Sequence, residues 1–398
     1  MKTRNLFLCL LIISGLSACQ AQSITDSKID QSYASWMATS EIKRNPEGWT
    51  LDFNQKPKWE YTHGLVMMAM HRVWKETGDQ QYDDYIRNFI DFMINDQGQI
   101  LTYKKSDYNI DRVNGGKFLI DVYNENKEPK LRLAIEELRD QMREHPRNSE
   151  GGFWHKKVYP HQMWLDGLYM GSPFLAQYAA TFEEPTLFDD VVNQILVMDK
   201  YAYSTETGLY HHAYDESKSE RWADPETGLS SNYWGRSIGW FGMALVDVLD
   251  YLPQDHPKRG EVLAIVQKLA QGIVKYQHVS GTWYQVIDQG DRAGNYLEAS
   301  ATSMFAYFLL KGAQKGYLNE EFRNAGIKAY KGILKEFIRE DEDGGVSLTQ
   351  ICGVAGLGGN PYRDGSYEYY INEVIRDNDP KGVGPFILAA LIYENMER

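Results

Sequence analysis

The sequence predicts an all-α protein built from paired helices, and three observations carry this. Helical periodicity recurs through about twelve segments. Short turns such as Thr77-Gly-Asp79 and Lys315-Gly-Tyr317 close several of them into pairs. Apolar, Gly/Ala-rich segments alternate with charged ones. Repeating helix pairs either stack into an open solenoid or close into an α/α barrel.

In chain order the segments lie near 28–43, 59–78, 79–95, 111–126, 128–144, 163–182, 185–202, 231–252, 258–278, 296–315, 319–339 and 381–397. Every second one, beginning with 59–78, is apolar and rich in small residues, as in Gly64-Leu-Val-Met-Met-Ala-Met70 and Ala299-Ser-Ala-Thr-Ser-Met-Phe-Ala306. Small residues let helices approach closely, as an inner ring requires. The others carry more charge, as in Gln80-Gln-Tyr-Asp-Asp-Tyr-Ile-Arg87, and suit an outer ring. Gly- and aromatic-rich connections at 203–230 and 340–380 run between pairs, and strand-like pieces such as Trp283-Tyr-Gln-Val-Ile287 predict small β-hairpins there.

Residues 1–18 are predicted to be a lipoprotein signal peptide. Lys2 and Arg4 precede an apolar run, Leu6 to Ile13, that is too short to span a bilayer. Leu16-Ser17-Ala18-Cys19 resembles a bacterial lipobox, so cleavage would leave a lipidated Cys19 at the head of a linker over 19–27. The expected location is the bacterial cell envelope, on a periplasmic or outer-membrane face, with the membrane reached through this anchor alone. Residues 28–398 then form one domain.

The net charge of −13 argues against nucleic acid as a partner. It does not exclude a small anionic substrate, which responds to the local field of a pocket. With Cys9 removed and Cys19 lipidated, Cys352 stands alone, so an internal disulfide is excluded. Scattered histidines and one cysteine give no zinc or iron–sulfur spacing, and no metal or organic cofactor is expected.

The stretch Gln162-Met-Trp-Leu-Asp-Gly-Leu-Tyr-Met-Gly171 places one carboxylate, Asp166, among Trp154, Tyr159, Trp164 and Tyr169, with His155 and His161 nearby. Flat aromatic faces hold sugar rings, and a carboxyl packed against them is expected to titrate high, as a proton donor near neutral pH must. A helix start with core aromatics is the plainer reading of this segment alone. Six inner-helix starts change the balance: Lys58-Trp-Glu-Tyr-Thr-His63, Asn109-Ile-Asp-Arg112, Gln162 to Asp166, Asn232-Tyr-Trp-Gly-Arg236, Asn295-Tyr-Leu-Glu298 and Asn378-Asp-Pro-Lys-Gly382. All are polar and aromatic. In a closed barrel they gather at one end, where helix N-termini favour an anion.

Five blocks bear a resemblance to a known family: Asn109-Ile-Asp-Arg-Val-Asn-Gly-Gly-Lys117, Gln162 to Gly171, His212-Ala-Tyr-Asp-Glu216, Trp234-Gly-Arg-Ser-Ile-Gly-Trp240 and Lys381-Gly-Val-Gly-Pro-Phe-Ile-Leu-Ala389. In order, they resemble the unsaturated uronyl hydrolases of glycoside hydrolase family 105, with family 88 more distant. The resemblance implies a six-hairpin (α/α)6 barrel. It implies hydrolysis of oligosaccharides left by polysaccharide lyases, whose terminal uronic acid carries a C4=C5 double bond. Asp166 then matches the catalytic acid/base and Asp111 the second carboxylate, which positions the sugar. His155 and His212 match substrate-contacting histidines, Arg236 a residue beside the uronate, and Trp164, Trp234 and Trp240 an aromatic wall.

Each assignment competes with a structural one. Asp111 is also a natural helix cap. His211 and His212 point to opposite faces of an extended segment, and His212 is chosen because it opens the His-Ala-Tyr-Asp pattern. Arg236 has Asp224 as an alternative partner, and Trp240 is the tryptophan best suited to the core. Ser237-Ile238 departs from the Gly-Asn often found in rhamnogalacturonan-acting members. Rhamnose-linked products of pectin or ulvan, and an arabinogalactan product, all stay open. Competing functions are another α/α-barrel lyase or glycosidase, and a non-catalytic glycan-binding lipoprotein. The last would keep the aromatics without needing Asp111 and Asp166.

Overall fold

The computed structural model describes residues 32–397. The predicted signal peptide, Cys19 and the linker therefore lie outside the described residues. Twelve long helices follow in order, with one short helix near the end. They are α1 (Tyr33–Arg44), α2 (Tyr61–Thr77), α3 (Gln80–Met93), α4 (Gly116–Asn126), α5 (Pro129–Glu144), α6 (Leu165–Phe182), α7 (Leu187–Ala202), α8 (Gly235–Val248), α9 (Arg259–Lys275), α10 (Ala299–Gln314), α11 (Glu320–Glu336), α12 (Tyr367–Ile371) and α13 (Pro380–Glu397).

Local chemistry sets several boundaries. Ser32, Asp79 and Asn319 cap α1, α3 and α11 by accepting first-turn N–H groups, and α2 stops at Gly78, whose φ of 68° is left-handed.

Apolar helices form the inside. α2 packs on α4, α4 on α6, α6 on α8, α8 on α10 and α10 on α13, and α13 closes the ring against α2. Every residue of α8 is buried. Around this ring, α3, α5, α7, α9 and α11 each pack on the inner helix that precedes them in the chain, and α1 packs on α13. The ring closes because its first and last inner helices meet, which excludes the open solenoid. At the α2–α4 contact a Cβ on Gly64 would lie 2.7 Å from the Gly115 backbone, so both positions must be glycine-sized.

Three two-stranded antiparallel sheets decorate the connections. β1 (Gln162–Trp164) pairs with β2 (Ala213–Asp215), β3 (Ile338–Glu340) with β4 (Val346–Leu348), and β5 (Ile351–Cys352) with β6 (Ile375–Arg376). Residues 283–287 do not form the expected hairpin. They are held by single bridges, Trp234 to Val286 and Tyr284 to Leu297.

The inner helices α2, α4, α6, α8 and α10 begin later than periodicity predicts. Trp164, Trp234 and Glu298 are extended N-cap residues rather than helical ones. The segment predicted over 111–126 is two pieces. Asn109 accepts the Asp111 N–H and starts a separate 3-10 turn, Ile110–Val113, before α4 opens at Gly116.

Candidate active site

Extended segments place the chemistry just ahead of the inner-helix starts. β1 runs into α6, so Trp164 is the cap and Asp166 lies in the first turn. The Leu165 N–H donates to the His212 carbonyl at 3.0 Å, which brings the two chain segments together. The Asp166 carboxylate lies 3.1 Å from His212 Nε2, although the pair does not meet hydrogen-bond geometry. His212 is fully buried, and its Nδ1 is 2.7 Å from the Tyr370 hydroxyl. The preceding residue, His211, turns away, with Nδ1 near the Ser230 carbonyl and its ring against Tyr233.

Asp111 sits in a second pocket of the same mouth. Lys156 Nζ is 2.7 Å from one carboxylate oxygen and His155 Nε2 is 3.4 Å from the other. The register that does this is a backbone one, with the Ile110 N–H donating to the His155 carbonyl and Asn109 bridging Lys156. Burial alone would push the Asp111 carboxyl up, but Lys156, His155 and Arg112 outweigh it and hold the group below its ordinary value. Burial pushes His155 down to about 4, against the pull of Asp111 and Asp166, so this imidazole is neutral at physiological pH. His155 thus lies between the two carboxylates.

Aromatic rings build the walls. The His155 ring stacks on Trp164 with centroids 4.3 Å apart and an 8° interplanar angle, and Tyr159 stacks on Trp164 at 5.2 Å. Trp234 packs on His212 at 4.8 Å and on Tyr370 at 5.8 Å. Trp240 lies deeper, stacked on Tyr169 at 4.7 Å and meeting Tyr61 edge-on. All three tryptophans are almost completely buried. The resemblance implied an aromatic wall, with Trp240 the one suited to the core; Trp164 and Trp234 brace the two histidines and Trp240 packs deeper. Tyr61 and Tyr159 are only half-buried.

Arg236 requires a correction. Its side chain is enclosed, with Nε donating to the Ser300 hydroxyl at 2.8 Å and its terminal nitrogens to the Gly353 and Cys352 carbonyls. Its acidic neighbour is the buried Glu298 at 3.6 Å, not Asp224, which closes an exposed turn with Thr227. These contacts tie α8 to β5, and they leave the guanidinium no open side to receive a uronate carboxylate. Half-buried cations at this mouth are Lys156 and Arg363, the latter donating to the Tyr159 hydroxyl.

Sequence reading missed Lys156, Tyr370 and Arg363. Lys156 directly follows His155 and was open to notice. Tyr370 and Arg363 come from the irregular 340–380 connection, where no periodicity or motif marks them. Beneath the mouth, Asp52, Asp379 and Lys381 form a buried ion cluster, Lys381 Nζ lying 3.0 Å from Asp52 and 2.7 Å from Asp379. Among the described residues no group of three or more His, Cys, Asp or Glu is placed to hold a metal ion.

A closed double ring of helices with paired carboxylates, histidines and aromatics at the inner N-termini defines an α/α-barrel carbohydrate enzyme. The chain belongs to glycosyl hydrolase family 88, whose model matches residues 33–397, and it is a glycosidase. A glycoside hydrolase from family 105 of C. acetobutylicum ATCC 824 is similar at 46% identity and a TM-score of 0.88, with 92% of this chain and 100% of that chain covered. The unsaturated rhamnogalacturonyl hydrolase YesR of Bacillus subtilis (strain 168) is 24% identical over 262 residues, 64% of this chain and 71% of that protein. An unsaturated 3S-rhamnoglycuronyl hydrolase of Alteromonas sp. (strain LOR) is 25% identical over 193 residues, 48% of this chain and 44% of that protein.

Proposed function

We propose that the protein removes a 4,5-unsaturated uronic acid from the non-reducing end of rhamnose-linked oligosaccharides produced by polysaccharide lyases. The observation that carries this reading is the separation of two carboxylates in one mouth. Asp111 is clamped by a cation, while Asp166 faces His212 and keeps some exposure, 13% of its side chain. A clamped carboxylate orients a sugar hydroxyl; a carboxyl without a fixed cation is the one able to exchange a proton.

In this reading Asp166 gives its proton to C4 of the vinyl ether. The carboxylate it leaves takes a proton from the water that adds at C5. The resulting C5 hemiketal opens to a ketone, which frees a hemiacetal at C1, and the hemiacetal expels the aglycone as an alcohol. The bond attacked first is an alkene, so the carboxylate-spacing rule for ordinary glycosidases does not apply. Lys156 and Arg363 meet the uronate carboxylate in place of the enclosed Arg236. The two named relatives, a rhamnogalacturonyl hydrolase and a rhamnoglycuronyl hydrolase, favour a rhamnose aglycone.

The test is a panel of lyase-generated oligosaccharides from pectin, ulvan and glycosaminoglycans, followed by loss of the ultraviolet absorbance of the C4=C5 bond. Fastest loss on a rhamnose-linked member supports the proposal; loss confined to glycosaminoglycan products removes the rhamnose assignment. We also propose that Cys19 carries lipid and holds the enzyme to the cell envelope, a reading supported by the basic, apolar and lipobox residues of the first nineteen positions.

A further inference from the structure

At the far end of the barrel, between the C-terminal halves of the inner helices, lies a cavity of about 510 Å³ that the proposed chemistry does not use. Tyr169 and Trp240, stacked across the axis, stand between it and the mouth. Its apolar lining comes from Met68, Pro173, Leu388 and Leu391. The charged lining residues are largely matched. Lys311 sits between Asp247 and Asp250, at 2.6 Å from each, and Arg72 and Lys315 at the half-open rim face Asp121 and Asp250.

Lys117 is the exception. Only 3% of it is exposed, and its Nζ has no hydrogen-bond partner. The amine lies 3.5 Å above the centroid of the Tyr169 ring, and Lys117 is among the residues that line the cavity. Burial without an acceptor pushes it down to about 7, with Asp247 and Asp121 raising it and Lys311 lowering it. An ammonium whose nearest contact is a ring face is poorly compensated, because a cation–π contact returns less than burying the charge costs. The C-terminal turns of α2, α8, α10 and α13 line the cavity and repel an anion, so an anionic ligand here needs a side-chain cation of its own. Lys117 supplies one, and the volume suits a ring-sized molecule with one apolar face.

We propose that this cavity is a second binding site, taking a small organic acid of about monosaccharide size whose carboxylate is received by Lys117. The site is separate from the mouth, and the proposal does not rest on the reading of the mouth. The probe is D-glucuronate, with D-glucose as its uncharged counterpart, titrated calorimetrically into the full chain in two buffers of different ionisation heat. At about pH 8 Lys117 is mostly neutral, so receiving a carboxylate recruits a proton from the buffer; at about pH 6 it is already charged and the uptake disappears. Lys117→Met is expected to weaken this component by at least about tenfold. Leu391→Trp, which fills the cavity and leaves the amine in place, is expected to do the same and keeps the test decisive if Lys117→Met does not fold. Crystals soaked in glucuronate provide an independent reading, with density expected beside Lys117. Equal binding of glucose, or unchanged proton uptake in either folded variant, overturns the proposal. So does a soaked crystal with ligand only at the mouth.

Discussion

Asp111 and Asp166 each face a histidine, yet their surroundings differ. Lys156 reaches Asp111 and holds its carboxyl below the ordinary range, so Asp111 is ionised through the neutral and mildly acidic window. Removing that cation lets burial dominate and raises the group. Lys156→Met is therefore expected to move the acidic limb of the kcat/KM profile to higher pH, as an ionised Asp111 is lost earlier on acidification. A limb that stays in place would show that Asp111 does not need its charge. Arg236 leads to a different expectation from the one its motif suggests. Arg236→Met leaves Glu298 buried without its cation and leaves the Cys352 and Gly353 carbonyls without donors. A loss of about 3 kcal/mol or more is expected in denaturant unfolding. A stable variant with only a raised KM would return Arg236 to the substrate. Sequence motifs identify which residues matter more readily than what they touch. Arg236 stands in a recognisable block, but its partners come from segments more than sixty and more than a hundred positions away.

At the scale of elements, the alternation of apolar and charged helices was legible because an inner helix is buried on all sides and an outer one on a single face. Helix starts were less legible. Extended caps such as Trp164 and Trp234 continue the apolar pattern without being helical, and Asn109 begins a turn that periodicity merges with α4. The 340–380 connection was opaque for another reason: its β5–β6 pairing and α12 are made by tertiary contacts, among them the Tyr370 hydroxyl on His212. The α2–α4 contact gives a test at this scale. Gly64→Ala drives a methyl group into the Gly115 backbone, which has no side chain to move aside. A cost of about 1–3 kcal/mol is expected, read as a lower unfolding midpoint. An unchanged midpoint would mean that the two helices separate freely.

For the whole molecule, closure of the ring gathers six helix N-termini at one mouth and six C-termini at the other. Carboxylates with histidines beside them occupy the first, and matched lysine–aspartate pairs the second. No helix among the described residues is long and apolar enough to cross a membrane. The proposed envelope attachment rests on the lipobox at Cys19. Cys19→Ala is expected to move the protein from the membrane fraction to the soluble one with kcat/KM unchanged, and continued membrane partition would contradict the lipid anchor.

The central claim is that Asp166 supplies the proton. Its most direct test is turnover by Asp166→Asn on the best unsaturated substrate, with helical content and thermal unfolding measured on the same sample. Asparagine keeps the shape beside His212 and removes the exchangeable proton. With the fold intact, kcat is expected to fall by at least about two orders of magnitude while KM changes little. A folded Asp166→Asn enzyme with near-normal turnover would contradict the account.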